Sequence, residues 1–125
     1  MQTQIRMTPQ TITVLKIARQ FGHSTNLDIL NESLKTFPSL SATTVHRITK
    51  RLIQSGLLAA GPKIKGQILI DSNTTAHDHF LCNDCQGIKD LTINPSIRCQ
   101  IQKELGIDRV PASLTIYGDC QKCLS

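Results

Sequence analysis

Apolar residues recur at helical spacing through the first third of the chain. Thr8-Pro9 puts a proline near a first helical position, and Ile12, Leu15, Ala18 and Phe21 follow, with Val14 and Ile17 widening the stripe. Gly22 supplies a stop. A second helix is expected from Thr25 or Asn26, with Leu27, Leu30 and Leu34 on its inner face and Pro38 closing it. Ser39 or Ser41 caps a third, running to about Gln54, whose Val45, Ile48 and Leu52 fall at i, i+3 and i+7 while Arg47, Lys50 and Arg51 share another face. Gly56 ends it. Leu57-Leu58 and the run 67–70 then flank a turn expected from Gly61, Pro62, Lys63 and Gly66, the pattern of a hairpin. Three helices and a basic-tipped hairpin predict a winged helix-turn-helix, with the helix from Ser41 as recognition helix and Lys63 and Lys65 on the wing.

Polar residues 71–76 read as a hinge, and the pattern changes after them. Phe80-Leu81-Cys82 and the run 88–93 predict short strands. Ile97, Ile101 and Leu105 predict a one-sided helix after Pro95, and Leu114, Ile116 and Tyr117 a last strand before Gly118. The expected fold class is therefore α+β. Residues 1–73 form an N-terminal winged-helix domain with hinge, and residues 74–125 a small α/β dimerisation domain.

Charge divides the chain at the same place. Of the formal +5, residues 1–73 hold nine basic against three acidic side chains, and the remainder five against six. A basic half beside a near-neutral half points to a polyanionic partner for the first half; an ordinary solvated surface is the bland alternative. No apolar run reaches the roughly 18–20 residues of a membrane span. The opening MQTQIRMTPQ lacks the apolar stretch of a secretory leader, so a cytoplasmic location is expected. Thiols stay reduced there, which favours metal ligation over disulfides.

Four of the five cysteines fall in two knuckles, Cys82-x-x-Cys85 and Cys120-x-x-Cys123. A two-residue gap lets both sulfurs of a pair reach one ion, and four thiolates suit a closed structural Zn2+ site. Structural zinc contributes about 10–16 kcal/mol in finger peptides, ample for a core this thin. A redox dithiol and a disulfide pair are the alternatives. Cys99 lies outside both pairs and reads as a small buried apolar residue. His77-Asp78-His79 sets two imidazoles on one side of an extended segment. With Asp90 on the next strand, Asp71 at the hinge and His23 between the first helices, these donors suit Fe2+, Mn2+ or Zn2+; each is otherwise an ordinary surface or hydrogen-bonded side chain. A His-x-His beside a CxxC is also similar to zinc deaminases, but their catalytic Glu and the Pro before Cys are absent.

Over nearly its whole length the chain resembles the ferric uptake regulator (Fur) family. Met7-Thr8-Pro9-Gln10 resembles the family's opening helix, Ser39-Leu-Ser-Ala-Thr-Thr-Val-His-Arg47 its recognition helix, and Ser55-Gly-Leu-Leu58 its entry to the wing. His77-x-His79-x-x-Cys82-x-x-Cys85 and Tyr117-Gly-Asp-Cys-x-x-Cys123 are the most specific matches. The resemblance implies structural zinc on Cys82, Cys85, Cys120 and Cys123, and a regulatory metal, Fe2+ or Mn2+, on His23, Asp71, His77, His79 and Asp90. The carboxylate positions often hold Glu in iron-uptake members; here both are Asp, similar to the peroxide-sensing PerR branch, in which site histidines are oxidised. His23 and His77 are the corresponding candidates. Departures are His46 where the family usually has Tyr, Thr11 where Arg is common, and Ala112 in place of a His used in an additional site.

The implied function is a cytoplasmic, homodimeric, metal-dependent repressor reading a palindromic double-stranded DNA operator. Arg47, Lys50, Arg51, Lys63 and Lys65 are expected on phosphates, and Thr43, Thr44 or His46 on bases. No enzymatic activity and no membrane partner are expected. An iron- or zinc-uptake regulator without peroxide sensing is the near alternative. A zinc-binding enzyme using the His/Asp cluster and a winged-helix interaction module without DNA affinity are the alternatives from other classes.

Overall fold

A computed structural model describes residues 5–75, 77–109 and 113–124, so Ala112 lies outside the described residues. It divides into two compact units, Met1–Thr74 and Thr75–Ser125.

The first unit holds helices α1 (Pro9–Phe21), α2 (Asn26–Ser33) and α3 (Ala42–Gln54) and strands β1 (His23–Ser24), β2 (Ala59–Ile64) and β3 (Gln67–Asp71). Each helix starts on a hydroxyl cap: Thr8 accepts from the Thr11 amide, Thr25 forms a reciprocal capping box with Asp28, and Ser41 accepts from the Thr44 amide. The Thr11 hydroxyl also bonds that of Thr8, at 2.9 Å. Val14, Leu15, Ile17, Ala18, Ile29, Leu40, Val45, Ile48, Leu52, Leu58 and Ile70 close one core. The winged helix-turn-helix is thus present: three helices with a three-stranded antiparallel sheet ordered β1-β3-β2.

Several expected details shift. Ile12 and Phe21 are exposed, because the buried stripe of α1 is rotated onto Thr11, Val14, Leu15, Ile17 and Ala18. On α2 the innermost residues are Ile29 and Ser33, and Leu27 is exposed. Gly61, Pro62 and Lys63 lie within β2, not in the turn; the register shifts between Ala60 and Lys63, the irregularity at which a strand tolerates proline. The turn is Lys65-Gly66, with φ of 49° and 80°, and positive φ at both central residues marks the two-residue hairpin that matches strand twist. Asp71 is the buried last residue of β3 and not part of a hinge.

The second unit comprises β4 (Asp78–Cys82), β5 (Ile88–Leu91), α4 (Pro95–Leu105), β6 (Thr115–Gly118) and a final turn of helix, α5 (Gln121–Leu124). Its sheet order is β5-β4-β6, with β4 antiparallel to β5 and parallel to β6. The apolar residues buried here are Leu81, Cys82 and Ile93. Helix α4 buries none of its own: Ile97 and Leu105 are more than half exposed, and Cys99 is exposed too, contrary to the expectation of a buried thiol.

Candidate metal centres

The parallel pairing of β6 with β4 brings the two knuckles together, because Cys82 closes β4 opposite Gly118 and Cys120 follows two residues on. The four sulfurs of Cys82, Cys85, Cys120 and Cys123 lie within 4.8 Å of one another. Cys82 to Cys123 is 3.6 Å, Cys85 to Cys120 3.7 Å and Cys120 to Cys123 3.5 Å. All four are free thiols, which excludes the disulfide alternative for this structure. A tetrahedron with about 2.3 Å zinc–sulfur bonds has edges of about 3.8 Å, so the donor set fits Zn2+. The backbone donates toward sulfur as well: the Cys120 amide to Cys82 Sγ at 3.3 Å and the Gly87 amide to Cys85 Sγ at 3.4 Å. The Cys120 amide leads in drawing Cys82 down to about 6, within reach of the thiolate that ligation requires. The crowded thiols of Cys120 and Cys82 push Cys123 up, as four sulfurs cannot all ionise without a cation among them.

In the same unit His77, His79 and Asp90 each offer a ligand atom within 4.8 Å of the others. Register explains the grouping: His79 pairs directly with Asp90 across β4 and β5, and the rings of His77 and His79 are 4.4 Å apart. His77 Nδ1 lies 2.6 Å from the Thr75 carbonyl. A carbonyl only accepts, so Nδ1 carries the proton and neutral His77 turns the lone pair of Nε2 toward Asp90 Oδ1, 3.5 Å away. His79 Nε2 stands 3.7 Å from the same oxygen. Ligand atoms gathered at these distances fit a shared metal ion. Two imidazoles and one carboxylate with open positions are the donor set of non-haem Fe(II).

The first unit contributes a second pair. Strand β1 aligns His23 with Asp71 on β3, and His23 Nε2 lies 3.3 Å from Asp71 Oδ2. The Asn73 amide donates to the other oxygen of Asp71 at 2.9 Å.

Asp78 is a structural residue not singled out from the sequence. Its carboxylate, buried between the two histidine positions, accepts from the Ile93 amide at 2.8 Å, the Leu114 amide at 2.9 Å and the Arg98 guanidinium. Burial raises its pKa, but those amides and Arg98 outweigh it, so the carboxyl sits below its ordinary range. The signal was strand periodicity: if His77 and His79 share one face, Asp78 faces the other, into the sheet's junctions.

On the first unit Arg47, Lys50 and Arg51 are exposed on α3, and Lys63 and Lys65 on the hairpin. Thr43 and His46 are exposed. Thr44 is half-buried, its hydroxyl bonded to that of the cap Ser41 at 2.9 Å. A groove between α2, the start of α3 and the hairpin is lined by Leu30, Thr43, His46, Lys63 and Ile68.

A winged helix with an exposed basic face, in a chain that also carries four thiols placed to hold zinc and imidazole–carboxylate donors for a further metal, is the build of a metal-responsive transcription regulator. The model of the "Ferric uptake regulator family" matches residues 2–117, and the chain belongs to that family. It is 27% identical over 120 residues to the ferric uptake regulation protein of Cupriavidus metallidurans, an alignment spanning 90% of this chain and 84% of that one. It is 26% identical over 125 residues to the peroxide-responsive repressor PerR of Staphylococcus aureus, spanning 98% and 84%. In fold it is similar to the ferric uptake regulator of Francisella tularensis solved with iron, with a TM-score of 0.79 at 21% identity over 100% of this chain and 98% of the other.

Proposed function

We propose that the chain is a homodimeric, metal-dependent DNA-binding repressor whose corepressor is Fe2+ or Mn2+. The observation that carries the reading is the facing set of His77, His79 and Asp90, with the tautomer of His77 set by the Thr75 carbonyl. Three donors leave an ion of this kind short of a full shell. His23 and Asp71, paired on the DNA-binding unit, are the donors that would complete it. One ion held by all five then favours the conformer that both donor sets reach. Two recognition helices set about one DNA turn apart, or a multiple of it, would read a palindrome in successive major grooves, with Arg47, Lys50, Arg51, Lys63 and Lys65 on phosphates and Thr43, Thr44 and His46 nearest the bases. Exposed Ile97, Leu105, Ile107, Ile116 and Tyr117 on the second unit support the homodimer, as so many large apolar side chains on a small unit call for cover. The cytoplasm is the compartment in which the four thiols stay reduced.

Aspartate at both carboxylate positions and the likeness to PerR support peroxide as the signal. Bound iron would supply the redox chemistry toward peroxide, with His23 and His77 as the imidazoles at risk. Ligand imidazoles must be neutral, so metal affinity falls below about pH 6.

The test is DNA binding with Fe2+, Mn2+ and Zn2+ in turn, each with and without peroxide, on the wild type and Asp90→Ala. Metal-stimulated binding that Asp90→Ala loses, and that peroxide abolishes with Fe2+ but not Mn2+, is expected. Unchanged metal dependence in Asp90→Ala removes that residue from the site, and peroxide insensitivity with Fe2+ leaves an uptake regulator.

A further inference from the structure

His46 is exposed on α3, four residues after its N-terminal Ala42, and borders the groove between α2, α3 and the hairpin. Its ring has a partner on one edge. Nδ1 lies 3.1 Å from Asn26 Nδ2, at the start of α2. The other end of that amide is held in turn: Thr49 Oγ1, three residues along α3 from His46, faces two acceptors, Asn26 Oδ1 at 2.7 Å and the His46 carbonyl at 3.1 Å, and the shorter contact is the stronger. The shorter separation is the usual length for a hydroxyl on an oxygen acceptor and short for an amide nitrogen on a hydroxyl, which sets the amide with its NH2 toward His46. An amide nitrogen only donates, so His46 Nδ1 must accept and is unprotonated. In the neutral ring the proton then resides on Nε2, at the edge turned away from Asn26.

We propose that Asn26 and Thr49 lock the tautomer of His46, so that it presents an N–H donor as a specificity-determining contact to guanine in the operator. The inference rests on the reading of the chain as a DNA-binding protein. A fixed donor is matched by an acceptor. In the major groove guanine shows two side by side, O6 and N7, where adenine and thymine show one each, N7 and O4, and cytosine only its N4 amino group. The preference lies in which ring nitrogen carries hydrogen, and two side chains that need not touch DNA decide it. Asn26 and Thr49 are positioning residues in this arrangement. His46 is the reader, and the basic side chains around it set affinity without sequence preference.

The experiment is selection from a randomised duplex library by the zinc-loaded, Mn2+-supplemented protein, with His46→Ala and Asn26→Leu in parallel, and long-range 1H–15N correlation of the His46 ring in the free protein. The wild type is expected to enrich a palindrome with one guanine per half-site that His46→Ala and Asn26→Leu each relax about fivefold, the worth of one net hydrogen bond. Affinity for random DNA should stay the same in Asn26→Leu. The ring spectrum should show hydrogen on Nε2 in the wild type and a tautomer mixture in Asn26→Leu. Enrichment identical in all three proteins overturns the inference and leaves the DNA-binding reading standing. A wild-type ring protonated on Nδ1 overturns the lock whatever the selection gives. Failure of the wild type to enrich any duplex overturns both readings.

Discussion

Asp78 shows how much one carboxylate can hold. It joins the start of β4 to the residues that lead into α4 through Ile93, to the approach of β6 through Leu114, and to α4 itself through Arg98. Replacing it with Ala leaves the guanidinium and two amides without their acceptor, and the loss of one partner of a buried pair costs about 3 kcal/mol. Denaturant unfolding of Asp78→Ala should show that loss in the second unit, with the zinc content intact. The sign of the pH effect follows from the lowered pKa. The stabilisation is complete above the unfolded carboxyl pKa of about 4 and is lost as pH falls below it toward the folded value. An Asp78→Asn variant should therefore be less stable at neutral pH and lose less on acidification than the wild type. Equal acid slopes for the two proteins would count against the assignment.

At the scale of elements, the two units are held by different means. The first closes eleven buried apolar side chains into one core; the second buries Leu81, Cys82 and Ile93 around its sheet. A core that small needs its thiolate cluster. Cys120→Ser should release zinc and unfold β4–β6 while α1–α3 keep their amide protection, a contrast that hydrogen exchange with metal analysis reads directly. Full zinc loading with a protected β4 would refute the staple. Sequence patterns carried much of this. The hydroxyl caps, the helix over 42–54 and both cysteine knuckles follow from local spacing, which is set by short-range geometry. What depends on partners was not legible. The stripe of α1 is rotated because its neighbours, not its own period, decide which side is covered, so Ile12 and Phe21 lie outside. Strand β1 is two residues long and has no period at all; only its pairing with β3 defines it, and that pairing is what sets His23 against Asp71. The hairpin turn was misplaced because Pro62 reads as a breaker, whereas a register shift accommodates it within β2.

For the whole molecule, the asymmetry of charge yields a quantitative expectation. Nine basic and three acidic side chains occupy residues 1–73, and five of the basic ones are exposed on α3 and the hairpin. If Arg47, Lys50, Arg51, Lys63 and Lys65 of both subunits each neutralise a phosphate, the logarithm of the binding constant should fall with the logarithm of salt at a slope of about −9. Lys65→Ala should flatten it by about two. A slope near zero would remove the basic face from the interface.

The pairing of β6 alongside β4 also has a consequence for biosynthesis. A nascent chain exposes its first knuckle some forty residues before Cys120 and Cys123 leave the ribosome. Until then Cys82 and Cys85 can offer zinc only two of its four sulfurs. Metal loading is therefore tied to the emergence of the second knuckle. In zinc-starved cells newly made copies would accumulate with their second unit unformed, open to proteases while older copies persist.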